Sequence, residues 1–171
     1  MAAVKHPDDK LSILGRALIT HNTAAHGAGI YLRSFEKRAG SILTVSDSAA
    51  ITDNIALGCG GGINFSGFRE DAEIPSSLTV SGNVRISGNA SAYGGGIYFF
   101  GCSEEDQLDI EKDSVLSENS AKENGGGLCL VSQTGASVTV NECSISKTKP
   151  MDRAEAFHSL IVLQKNLSAW H

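Results

Sequence analysis

The sequence predicts an all-β chain wound as a parallel β-helix, a solenoid of about four coils. Three observations carry that prediction. One motif occurs four times: an apolar residue, two variable positions, Asn, a small residue two places on, then a Gly-rich triplet and another apolar residue. An alternating apolar pair precedes every copy at a fixed offset. Glycine and β-branched residues fill the stretches where a helical repeat of this period would need amphipathic helices. Self-similarity at such a period is the signature of a stacked repeat.

The four copies are Ile19-Thr20-His21-Asn22 with Gly27-Ala28-Gly29-Ile30, Ile51-Thr52-Asp53-Asn54 with Gly60-Gly61-Gly62-Ile63, Ile86-Ser87-Gly88-Asn89 with Gly94-Gly95-Gly96-Ile97, and Leu116-Ser117-Glu118-Asn119 with Gly125-Gly126-Gly127-Leu128. The asparagines follow one another after 32, 35 and 30 residues. The preceding pairs are Leu11/Ile13, Leu43/Val45, Leu78/Val80 and Leu108/Ile110, and a fifth, Val138/Val140, begins another turn. Each copy thus offers three short strand-like pieces, such as Leu43–Val45, Ala50–Thr52 and Gly62–Phe65. None is stable alone. A coil of three strands, each pairing in parallel with its equivalent in the next coil, satisfies them.

Stacking assigns a role to each repeated position. The two members of each apolar pair form inward aliphatic columns, as do Ile19/Ile51/Ile86/Leu116 and Ile30/Ile63/Ile97/Leu128. A fully enclosed aliphatic side chain contributes about 1.5–3 kcal/mol. Asn22, Asn54, Asn89 and Asn119 form an inward ladder at a bend, where the amide bonds turn backbone or the next Asn. Gly29, Gly62, Gly96 and Gly127 close the triplets, which permit positive φ and close approach of neighbouring coils. Four coils at ~4.8 Å each make a rod about 20 Å long.

Residues 1–10 are polar and read as an N-terminal tail, 11–149 as the repeats, and 150–171 as a helical cap or non-repeat tail. In that last segment Asp152 suits an N-cap, with Glu155 three residues on as in a capping box. Phe157, Leu160, Ile161 and Leu167 are then expected to face the last coil.

Variable loops follow the third strand of each coil, at 33–40, 66–75, 101–107 and 132–136. Two are acidic, and Glu70, Asp71, Glu104, Glu105 and Asp106 form a candidate site for weak Ca²⁺ binding if they meet in the stack. No other cofactor and no resident metal are expected. Cys59, Cys102, Cys129 and Cys143 lack CxxC spacing and read as isolated thiols, the alternative being a disulfide between neighbouring turns that sequence does not pair. His21 and His26 read as surface histidines without a nucleophile partner.

Lys plus Arg is 14 against 19 Asp plus Glu, a net charge of −5, which disfavours a nucleic-acid surface. Met1 to Lys10 contain no apolar h-region, so no signal peptide is expected in this chain. No apolar stretch reaches the length of a membrane span. The outward positions Ser12/Thr44/Thr79/Asp109/Thr139 and Thr20/Thr52/Ser87/Ser117 make hydroxyl rows with one carboxylate. Glycan cleavage generally needs two carboxylates about 5–10 Å apart, so no catalytic residue is assigned.

Ile86-x-x-Asn89 followed by Gly94-Gly95-Gly96-Ile97-Tyr98 resembles the repeat of the chlamydial polymorphic outer-membrane proteins, and the related β-helix repeats of adhesin-like surface proteins in other microbes. The resemblance covers about residues 11 to 145. Here the first motif position is Ile or Leu where the family usually has Phe, and a third Gly replaces Ala. The resemblance implies a right-handed β-helix, a cell-surface or extracellular location, and adhesion. The expected function is a structural and binding module, a segment of a surface adhesin-like protein with a protein or glycan partner. The alternative is a polysaccharide-active, pectate-lyase-like β-helix enzyme.

Overall fold

The computed structural model describes residues 9–34, 40–67, 74–111, 113–132, 135–146, 149–150 and 163–165. Each sequence repeat becomes one coil. The first coil contains β1 (Asp9–Ile13), β2 (Leu18–Thr20), β3 (Thr23–Ala24) and β4 (Ile30–Arg33). The second contains β5 (Ser41–Val45), β6 (Ala50–Thr52), β7 (Ile55–Ala56) and β8 (Ile63–Ser66). The third contains β9 (Ser77–Val80), β10 (Arg85–Ser87), β11 (Ala90–Tyr93) and β12 (Ile97–Gly101). The fourth contains β13 (Gln107–Ile110), β14 (Val115–Ser117), β15 (Ser120–Asn124) and β16 (Leu128–Ser132). Further strands follow as β17 (Ser137–Val140), β18 (Ser144–Ser146), β19 (Lys149–Pro150) and β20 (Leu163–Lys165).

These strands form four parallel five-stranded sheets, β1-β5-β9-β13-β17 and its counterparts through β2, β3 and β4. The fold is therefore an all-β parallel solenoid of about four turns. The register aligns the repeated positions: Leu11, Leu43, Leu78, Leu108 and Val138 are consecutive partners, as are Ile19, Ile51, Ile86, Leu116 and Ile145. Leu43, Leu78, Leu108, Ile51, Ile86 and Leu116 are fully buried.

Two expectations change. A coil has four strands, not three. The residue before each ladder Asn is left-handed, with φ of 57° at His21, 55° at Asp53, 67° at Gly88 and 58° at Glu118. This sharp corner ends the second strand, and the chain then resumes parallel pairing as β3, β7, β11 or β15. The expected C-terminal helix is also revised. Asp152, Glu155, Phe157, Leu160, Ile161 and Leu167 lie outside the described residues, but Leu163–Lys165 is strand β20, registered Leu130↔Leu163 on β16. The edge of β16 offers a row of N–H and C=O groups that a strand satisfies and a helix does not. At the two ends of the repeats, Asp9 and Lys10 pair with Ser41 and Ile42, and Pro150 pairs with Ala121.

The Asn ladder forms with a fixed polarity. Asn22 donates to Asn54 Oδ1 from both its backbone N (3.0 Å) and Nδ2 (2.9 Å). Asn54 does the same to Asn89 Oδ1, both at 3.0 Å, and Asn89 to Asn119 Oδ1, both at 3.0 Å. The second Nδ2 hydrogen reaches a carbonyl of the preceding coil: Asn54 to Ile19 O (3.1 Å), Asn89 to Ile51 O (2.9 Å), Asn119 to Ile86 O (2.9 Å). Asn54 and Asn89 thus use two donors and two acceptor positions on each amide, which makes their complete burial affordable. Asn22, in the first coil, is exposed.

The glycine triplet divides its labour. Its first member takes the left-handed conformation, φ 67° at Gly60 and 65° at Gly94. Its third member lies against the ladder: a Cβ at Gly62 would sit 2.5 Å from Gly96 O and 3.1 Å from Asn89 Nδ2. One further inward column was not singled out from sequence. Leu32, Phe65, Phe99 and Leu130 are consecutive partners, and the Phe65 and Phe99 rings stack at 5.5 Å with 4° between planes.

Candidate functional site

Since the repeated positions point inward, chemistry must come from what faces out. The fourth sheet is the most varied. Its outward positions run Tyr31, Asn64, Tyr98, Cys129 in one column and Arg33, Ser66, Phe100, Val131 in the next. Between them lies a cleft of about 290 Å³, lined by His26, Tyr31, Arg33, Cys59, Asn64, Ser66, Gly67, Tyr98 and Phe100. Its volume is at the small end of the roughly 300–1,000 Å³ typical of small-molecule sites.

Asn64 forms the floor, 4% exposed. Its Nδ2 donates to Cys59 O at 3.2 Å, and its Oδ1 accepts from Ser66 Oγ at 3.3 Å. These two bonds fix which way the amide faces. Tyr31 stands 47% exposed beside it. His26 closes one end, its Nδ1 accepting from Cys59 N at 3.1 Å, so the ring carries its proton on Nε2.

Burial raises the Cys59 thiol above its ordinary value, partly offset by the Tyr98 hydroxyl that donates to it. Burial also raises Tyr98, and negative charge on Cys59 raises it further. Cys129 is pushed up to about 11 by burial and then by Cys59. These groups are therefore neutral at physiological pH. Cys59 and Tyr98 line the cleft as neutral groups rather than as a nucleophile. None of the four cysteines is in a disulfide.

The acidic loops are described only in part. Glu70 and Asp71 lie outside the described residues. Glu104 and Glu105 are exposed, whereas Asp106 is 1% exposed and turned inward. Its Oδ1 accepts from Ser76 N (2.7 Å), and its Oδ2 from Cys102 N (2.8 Å) and Ser103 N (3.1 Å). Three backbone donors thus occupy the carboxylate, making it a loop anchor. Among the described residues no group of three or more His, Cys, Asp or Glu is arranged to hold a metal.

The hydroxyl rows align as read. Ser12, Thr44, Thr79, Asp109 and Thr139 are consecutive partners, as are Thr20, Thr52, Ser87, Ser117 and Ser146. Thr20 and Thr52 hydroxyls meet at 3.0 Å. His21, at its left-handed corner, bonds Thr20 Oγ1 through Nδ1 at 2.7 Å.

The cleft escaped sequence reasoning, although its signal was present. The residue after each inward Ile or Leu varies, Tyr31, Asn64, Tyr98, Cys129, while its neighbour does not. Among the described residues no helix is long and apolar enough to cross a membrane. No protein-family model matches the chain, and neither curated proteins nor solved structures give a match.

Proposed function

We propose that this chain is a structural and binding module, a segment of a surface adhesin-like β-helix protein that mediates adhesion or surface interaction. The observation that carries the reading is the division between inside and outside. The interior is committed to aliphatic, phenylalanine, Asn and Gly columns, so chemical variety is concentrated on outer faces and loops. The most varied face carries the Tyr31–Tyr98 cleft, whose lining mixes aromatic faces with amide, hydroxyl, imidazole and guanidinium groups and, among the described residues, includes no carboxylate. Such a lining recognises a ligand and offers no acid–base pair to act on it. Asp109, the carboxylate in the first-sheet row, has Thr79 and Thr139 as partners in its column.

The reading is tested by immobilising the chain and measuring retention of cultured cells and of glycan-coated and protein-coated particles. Saturable retention, competed by free chain, is the expected result. Release of reducing sugar from pectin or alginate, abolished in Asp109→Ala, would overturn it in favour of a polysaccharide-active enzyme.

A further inference from the structure

We propose that the notch above Asn64 is a binding site for one pyranose ring of a glycan, an inference that rests on the binding-module reading and names its ligand class. Tyr31, Asn64 and Tyr98 occupy one outward position in β4, β8 and β12. Adjacent rungs are ~4.8 Å apart, so the two tyrosines start about 10 Å from each other. An unbroken tyrosine column would fill that space. Asn at the middle rung sets an amide where a third ring would stand, and the Tyr98 hydroxyl reaches Cys59 in that same coil. The cleft lined by Tyr31, Asn64 and Tyr98 has a volume of about 290 Å³, enough for one ring.

The chemistry narrows the ring to a sugar. Aromatic faces carry negative quadrupole density and favour the C–H face of a pyranose. The floor needs a different partner. Asn64 already spends one Nδ2 hydrogen on Cys59 O and one Oδ1 position on Ser66, so it keeps one donor and one acceptor, held in a fixed orientation. Ser66, whose hydrogen goes to Asn64, keeps acceptor lone pairs, His26 keeps its Nε2 donor, and the exposed Tyr31 phenol both donates and accepts. A sugar hydroxyl does both as well. A purely apolar ring would strand the Asn64 amide, which is 4% exposed, against a surface that cannot bond it.

Saturation-transfer NMR on the full chain tests this with four probes: lactose, N,N′-diacetylchitobiose, mannobiose and digalacturonate. Transfer to the ring C–H protons of at least one probe is expected. Asn64→Tyr, which fills the notch, should weaken that signal by about tenfold or more, and Tyr31→Ala, which removes an exposed wall, by roughly fivefold, as for anchor residues of a binding site. Melting curves confirm that each variant folds. If Asn64→Tyr does not fold, Tyr31→Ala decides. Absence of transfer from all four probes to the unmodified chain, or undiminished transfer in a folded variant, overturns the notch. Cell retention that survives a folded Asn64→Tyr would also sink the notch while leaving the binding-module reading intact.

Discussion

Gly96 is the wall against which the Asn119 amide lies. A Cβ built on Gly96 would stand 2.9 Å from Asn119 Nδ2 and 2.5 Å from the Gly127 carbonyl oxygen. Neither neighbour can retreat, because the amide is bonded to Ile86 O and the carbonyl accepts from Ile97 N. Gly96→Ala should therefore destabilise by about 2–3 kcal/mol, the range for forced overpacking. Gly15→Ala is the control. Its φ is +69° but nothing lies within 4 Å of the new methyl, so only backbone strain of about 1–2 kcal/mol is expected. Urea midpoints of the two variants check the order. A larger loss at Gly15 would contradict the wall.

Position along the ladder should set the cost of losing an asparagine. Asn89→Ala leaves the Asn54 backbone N and one Nδ2 hydrogen without their acceptor, in a site with no solvent access. With buried unpaired groups at about 1–3 kcal/mol each, the loss should be roughly 2–6 kcal/mol. Asn22 is exposed, and water replaces what its side chain gives up. Asn22→Ala should cost under about 1 kcal/mol. Equal shifts in denaturation midpoint would mean that the ladder is not what stabilises the bend.

Ser41 points the other way. Its backbone N donates to Ser76 Oγ at 3.2 Å, but its own buried Oγ has no partner. Removing an unsatisfied buried hydroxyl relieves a desolvation penalty of about 1–3 kcal/mol, set against a small lost packing contribution. Ser41→Ala should leave stability unchanged or raise it. A fall in thermal midpoint would show that the hydroxyl is bonded in solution.

Thiol chemistry should follow burial. Cys59 and Cys143 are partly accessible, whereas Cys102 and Cys129 are 1% and 2% exposed. A short iodoacetamide pulse at pH 8, read by peptide mass spectrometry, should label the first pair before the second. The same burial has a pH consequence. Cys129 titrates at about 11 in the fold against an ordinary 9.0. The folded state favours the protonated thiol, so this contribution is complete below pH 9 and is lost as pH rises from 9 towards 11. The alkaline fall in stability should be shallower in Cys129→Ala, and an unchanged slope would refute this origin.

The sequence by itself determined the winding. Leu43, Leu78 and Leu108, or Asn54, Asn89 and Asn119, recur at matched offsets, and only stacking in register buries every member of each set at once. That argument is insensitive to detail, because each column repeats the same evidence. The tertiary structure alone decided what the non-repeated residues do. Asp106 reads in the chain as one of a run of solvated acids, yet an N–H from Ser76, 30 residues away, captures it. The strand Leu163–Lys165 takes its form from the edge of β16 rather than from its own capping signals. The Tyr31–Asn64–Tyr98 cleft exists only because three coils bring those side chains onto one face. A repeated residue reports its environment through its copies, whereas a unique one meets partners from another coil that no local pattern encodes.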